Sequence, residues 1–342
     1  MFQNDLRSDR DYENMEGNKV NKGNLLTYRP DIKVVDATVR DGGLVNNFFF
    51  SDEFIKSLYE ANCKAGVEYM EFGYKADKDI FDEKEFGKWK FCKDQDILDI
   101  IGEKGDTKIS VMADVGRCNY KRDIVNKADS PIDLVRVATY INTIPAAIEM
   151  IEDAHNKGYE TTCNIMAISN AKESEIDIAL DLLGKSCVDG IYIVDSYGSM
   201  FPEEIRKLSE TYLEAAEKYG KYIGIHCHNN IQLAFANTIE ACAAGVSYLD
   251  GTMCGMGRGA GNCYLELLLN FLKNPKYNIY PVYKFIEEHM VPLLENPDVL
   301  WGYDLPYAIT GYLNQHPRTA IAATSEKRKD YVNFYNELIE KD

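Results

Sequence analysis

From Asp31 to about residue 275, short apolar runs with strand character alternate with amphipathic stretches. The strand-like runs cover residues 32–38, 67–73, 108–114, 133–139, 160–168, 190–195, 222–228 and 246–252. Helix-like segments such as DEFIKSLYEANCKAG, AAIEMIEDAHNKG and QLAFANTIEACAAG lie between them. The last two stop at Lys-Gly or Ala-Gly, where a helix end is expected. Eight βα units in about 240 residues predict a parallel sheet, and eight strands close a (β/α)8 TIM barrel of about 250 residues. An open doubly wound sheet is the competitor, but the turn after the first strand, VRDGGLVNN, lacks the glycine-rich phosphate fingerprint. The reading is an α/β TIM barrel over residues 29–275, a polar and aperiodic N-terminal stretch over 1–28 that is a disordered tail or a flexible arm, and a mainly helical C-terminal extension over 276–342.

Barrel chemistry is built at the C-terminal ends of the strands. Those ends carry Arg40 and Asp41, Glu71, Asp114, Thr139, Asn164, Asp195 and Ser196, His226 and His228, and Asp250. In YIGIHCH, His226 and His228 stand two residues apart, and alternate strand residues share a face. Two converging imidazoles are half of a divalent metal site. The connection after the second strand, YKADKDIFDEKEFGKWKFC, is long for a βα loop and is read as a candidate lid.

Composition narrows the partners. Lys+Arg 38 against Asp+Glu 55 gives a net charge of −17, a field that repels nucleic acid and anionic membrane. No run approaches the length of a membrane span, and the N-terminus has no apolar core of a signal peptide. The nine cysteines show no CxxC spacing and several sit in apolar runs, which suits a reducing cytoplasm.

The metal candidates are Asp41, His226 and His228, with Asn262 as a further oxygen donor. Two imidazoles and two oxygens suit a borderline divalent ion, Mn²⁺ first, then Co²⁺, Mg²⁺ or Zn²⁺. Singly, Asp41 could form a turn with its glycines and Asn262 could cap a helix. ATVRDGG at the first strand, the HCHNNIQLAFANTIEACAAGVSYLDGT stretch and GMGRGAGN after the eighth strand together resemble the metal-dependent aldolase and lyase superfamily with a DRE-type first-strand motif. That superfamily includes hydroxymethylglutaryl-CoA lyase and the isopropylmalate and homocitrate synthases. VRVAT (135–139), Asp195-Ser196 and GMGRGAGN are most similar to its 4-hydroxy-2-oxovalerate aldolase branch. The resemblance implies that Asp41, His226 and His228 hold the metal, with Asn262 a ligand in some branches. It also implies that Arg40 stabilises an enolate oxygen and that Glu71 is an acid near the metal. The expected reaction forms or cleaves the bond next to the keto group of a 2-oxo acid such as pyruvate, with the enolate charge absorbed by the metal and Arg40.

Two positions depart from that branch. A histidine base that follows its RD pair is replaced by Leu44, and a histidine after VRVAT is replaced by Tyr140. Tyr140, Tyr312 or a metal-bound water remain as candidates for handling the alcohol proton. Thr139, Ser196 and Arg258 are candidate substrate contacts, with Lys88 a weaker anion contact. The Leu44 substitution argues against efficient cleavage of 4-hydroxy-2-oxovalerate by a histidine base, and Arg258 and Lys88 favour an acidic or phosphorylated aldehyde. A Claisen-type synthase joining an acyl-CoA to a 2-oxo acid and a partner-dependent metabolite-binding barrel are the alternatives. A homo-oligomer is expected. The aldehyde dehydrogenase partner that the resemblance implies is disfavoured, because the C-terminal part matches only through Gly311-Tyr312 and a nearby His-Pro.

Overall fold

The computed structural model describes residues 29–340, so the tail expected over 1–28 lies outside the described residues. Eight strands form a closed parallel barrel in chain order: β1 Lys33–Asp36, β2 Tyr69–Tyr74, β3 Lys108–Asp114, β4 Leu134–Tyr140, β5 Glu160–Met166, β6 Gly190–Asp195, β7 Tyr222–Cys227 and β8 Tyr248–Gly251. Pairing of β8 with β1, Lys33 opposite Tyr248, closes it. The TIM barrel read from eight βα units is the fold of this chain.

Strand alternation divides the residues between two layers. On β4, Val135 and Val137 face the helices and join the large outer core, while Leu134 and Arg136 face the interior. The barrel interior is filled by Val35, Tyr69, Leu134, Tyr192, Val194 and Tyr248, with Val194 at its upper edge under the cavity. Tyr222 stacks on Tyr248 with ring centroids 3.8 Å apart. Helices close the outside, as in Asp52–Ala65, where the Ser51 hydroxyl accepts from the Phe54 N–H and Gly66 ends the helix in the left-handed region.

The alternation breaks once in β2. Its pairing with β3 shifts register between Glu71 and Tyr74, and Gly73 has φ 144°. A Cβ on Gly73 would stand 1.9 Å from the Trp89 carbonyl oxygen. Trp89 is fully buried, so the long loop after β2 is anchored in the core. Gly73→Ala should therefore destabilise the fold by about 1–3 kcal/mol or more through overpacking and backbone strain. An unchanged urea midpoint in that variant would refute the explanation.

Beyond residue 275, helix Tyr280–Phe285 packs on helix Asp52–Ala65 through Phe285 and Phe54, 5.1 Å apart. Helices Leu305–Tyr312, Arg318–Ser325 and Tyr331–Ile339 form a separate small core of Tyr307, Ala320, Ala323, Phe334 and Leu338 around Ala260. That core buttresses the glycine-rich segment after β8. No helix of the described residues is long and apolar enough to cross a membrane, and all nine cysteines are unpaired.

Candidate metal centre and its cavity

Arg40 and Asp41 sit on a short helix, Thr38–Gly42, immediately after β1. The turn is pinned from below. The Asp36 carboxylate accepts from the Thr38 N–H at 2.9 Å and from the Asn62 amide at 2.6 Å, and the Thr38 hydroxyl accepts from the Met253 N–H at 2.8 Å. The start of the barrel is thereby tied to the segment after β8.

The donor atoms of Asp41, His226 and His228 all lie within 4.8 Å of one another and are buried. His226 Nε2 is 3.4 Å and His228 Nε2 3.7 Å from Asp41 Oδ2. His228 bridges to Asn262, whose amide donates to the Met256 carbonyl at 3.1 Å. Among the described residues, His226 Nε2 and Asn262 Oδ1 are buried without a hydrogen-bond partner. Such orphaned acceptors in one place are costly unless something fills the gap between them. Two imidazole nitrogens, a carboxylate and an amide oxygen are a fitting donor set for a divalent ion. Gly257 allows the close approach, since a Cβ there would lie 2.0 Å from Asn262 Nδ2 and 2.7 Å from Asp41 Oδ1.

Charge tunes the three side chains differently. Burial works against the ionised form of Asp41, yet His228 and Arg40 hold it well below the usual carboxylate range. Burial pushes His228 down to about 3, against the pull of Asp41. Burial and Arg40 oppose a charge on His226, but its contacts with Asp250 and Asp41 outweigh them and raise it. An ionised Asp41 and a neutral His228 are the forms that bind metal.

A closed circuit of alternating charge runs beneath the cluster. Arg40 donates to Asp41 at 2.5 Å and to Glu71 at 2.7 Å. Arg136 donates to the same Glu71 oxygen at 3.0 Å and to Asp250 at 2.6 Å. Asp250 meets His226 Nδ1 at 2.9 Å, which leaves Nε2 aimed at Asp41. Arg136 is fully buried and its guanidinium lies 4.5 Å from the Tyr192 ring centroid. Removing one member of such a buried network costs about 3–5 kcal/mol, because an uncompensated charge remains.

The cavity above the cluster is lined by Arg40, Asp41, Leu44, Tyr74, Met112, Ala138, Asn164, Met166, Val194, Ser196, His226, His228 and Arg258. Ser196 holds the Ala167 N–H at 2.8 Å, and Arg258 donates to the Ser196 carbonyl at 3.1 Å. Arg258 Nε is buried without a partner among the described residues. Glu71 lies below the cavity as the brace of two arginines, not on its wall.

Four expected contacts are corrected. Thr139 points into the helix layer and pairs with the Thr143 hydroxyl at 2.8 Å, because it is one residue out of phase with Ala138 on the wall. Tyr140 (47% exposed) and Tyr312 (71% exposed) are not on the wall either. Lys88 pairs with Asp52 at 2.6 Å, away from the cavity. The aromatic that faces the cavity is Tyr74, whose phenol is pushed up by burial, with Arg40 opposing. Arg136 was also missed as a site residue, although a charge inside an apolar strand run, VRVAT, was a signal that it needed a buried partner.

A family model described as HMGL-like matches residues 31–287. A 4-hydroxy-2-oxovalerate aldolase of Pelotomaculum thermopropionicum is 28% identical over 289 residues, 83% of this chain and 82% of that protein. An oxaloacetate decarboxylase of Mycobacterium tuberculosis is 29% identical over 260 residues, 72% of this chain and 71% of that protein. Among solved structures, the N-terminal domain of a candidate aldolase from Bacteroides vulgatus superposes with TM-score 0.73 and 26% identity, covering 91% of this chain and all of that one.

Proposed function

The chain belongs to the HMGL-like family, and from that premise we propose that it is a divalent-metal-dependent carbon–carbon lyase, an aldolase acting next to the keto group of a 2-oxo acid such as pyruvate. The observation that carries the reading is the shared cavity of the Asp41, His226 and His228 cluster and the Arg40 guanidinium. A divalent ion held by Asp41, His226, His228 and the Asn262 amide oxygen would supply a Lewis acid toward the keto and carboxylate oxygens, with Mn²⁺ favoured over Co²⁺, Mg²⁺ or Zn²⁺. Arg40 spends its Nε on Glu71 and its Nη1 on Asp41, and Nη2 makes no bond among the described residues. That free edge is the donor for the oxygen on which enolate charge develops. Ser196 and Arg258 on the same wall would hold a carboxylate, and the apolar Leu44, Met112, Met166 and Val194 would keep water from the reacting carbon.

A second reading, β-decarboxylation of a 2-oxo dicarboxylic acid, is favoured by one observation. Among the described residues the cavity wall holds no histidine beyond the two in the cluster and no carboxylate beyond Asp41, and Leu44 is part of it. Decarboxylation needs no base for an alcohol proton, whereas aldol cleavage does.

The test is methyl-proton exchange of pyruvate in D₂O, followed by NMR. Metal-replete protein should exchange and chelator-treated protein should not. Metal-loaded, folded protein that leaves the methyl signal intact would rule out both readings. Release of CO₂ from oxaloacetate, set against addition of pyruvate to aliphatic, acidic and phosphorylated aldehydes, then separates the two.

A further inference from the structure

Resting on the aldolase reading, we propose that Tyr74 is a further catalytic residue whose phenol gives a proton to the acceptor oxygen as the carbon–carbon bond forms. Simple alternation would put Tyr74 among Met70 and Phe72, which face the outer core. Tyr74 does pack in that core, and just past the register shift at Gly73 it also reaches the cavity wall shared with Arg40, Asp41 and His228. A bulge beside a site commonly re-aims one side chain in this way. The ring is held on two sides: Phe48 meets it edge-on with centroids 5.7 Å apart, and Lys90 Nζ lies 4.5 Å from its centroid. Lys90 is itself enclosed by Phe48, Phe81 and Phe86, with Nζ 5.1, 4.4 and 5.6 Å from their centroids. The Tyr74 hydroxyl makes no hydrogen bond among the described residues, so its donor is free for a bound molecule. Such a fixed donor is preorganised for charge that appears only in the transition state.

In the direction of addition, the enolate carbon bonds to the aldehyde carbon, and the carbonyl π pair moves onto the aldehyde oxygen. That oxygen takes the Tyr74 proton. The proton released from the methyl group on enolisation returns to the phenolate by way of water. Cleavage runs through the same steps reversed. The charged and titratable groups acting on the phenol are Arg40, Asp41, Glu71 and Asp114, with Lys90 over the ring.

The experiment compares Tyr74→Phe with wild type in two assays, pyruvate methyl exchange and addition of pyruvate to the aldehyde panel. Addition is expected to fall at least about 100-fold, with exchange within about threefold of wild type. Near wild-type addition by Tyr74→Phe overturns the proposal. Equal loss of exchange and addition, with metal occupancy and unfolding midpoint unchanged, also overturns it, since Tyr74 would then act on the enolate half. Wild-type protein that exchanges but adds to no aldehyde overturns the aldolase reading and this role with it.

Discussion

His228→Ala is expected to weaken divalent-metal binding by more than about 100-fold, beyond the 10–100-fold that loss of an outer partner of a ligand costs. The reason is geometric. His228 follows the end of β7 and faces Asp41 at 3.7 Å, so no other imidazole can take its place. The fold should survive, because the barrel floor is filled by Tyr69, Tyr192 and Tyr248 below the site and not by His228. Asp250→Asn provides the internal scale. It weakens the acceptor that orients His226 through Nδ1 at 2.9 Å without removing a donor atom of the cluster, and should cost about 10–100-fold. Metal content after dialysis and calorimetric titration measure both variants. One ion per chain retained by the His226→Ala/His228→Ala double variant would place the metal elsewhere.

What the sequence showed and what it hid follow from the same period of two. The strand rhythm gives the barrel, because each buried parallel strand is a short apolar run closed by a helix. The spacing of His226 and His228 gives their common face, since β7 runs undistorted through residues 222–227. Thr139 was misplaced by one residue. An apolar strand buried on both faces offers no polar alternation to fix its phase, so Ala138 rather than its polar neighbour lines the cavity. Tyr74 was hidden for a different reason. Its phase is reset by the bulge, and the need for Gly73 there comes from the Trp89 carbonyl, sixteen positions along the chain. Contacts of that kind have no local signature. The Arg136–Asp250 pair also joins strands distant in sequence, and only closure of the barrel brings them within 2.6 Å.

Arg40→Lys should leave the metal cluster occupied and slow pyruvate methyl exchange by about 100-fold or more. The guanidinium has three edges in use or reserve: Nε on Glu71, Nη1 on Asp41, and Nη2 free. Lysine has one ammonium at the end of a flexible stem, so it can satisfy one of the two carboxylates but cannot also present a fixed donor to the cavity. Glu71 keeps Arg136 as a partner at 3.0 Å, which limits the damage to the Arg40 side of the circuit and spares His226. Asp41 keeps the Arg258 N–H at 3.3 Å on its other oxygen, so its position as a metal donor does not depend on Arg40 alone. The expected signature is therefore a fall in exchange rate at saturating pyruvate with metal affinity changed only a few fold. That split distinguishes loss of a transition-state donor from loss of the site, because an interaction made only in the transition state lowers kcat and kcat/KM together. Exchange at the wild-type rate would remove Arg40 from the chemistry and leave it as a brace between Asp41 and Glu71.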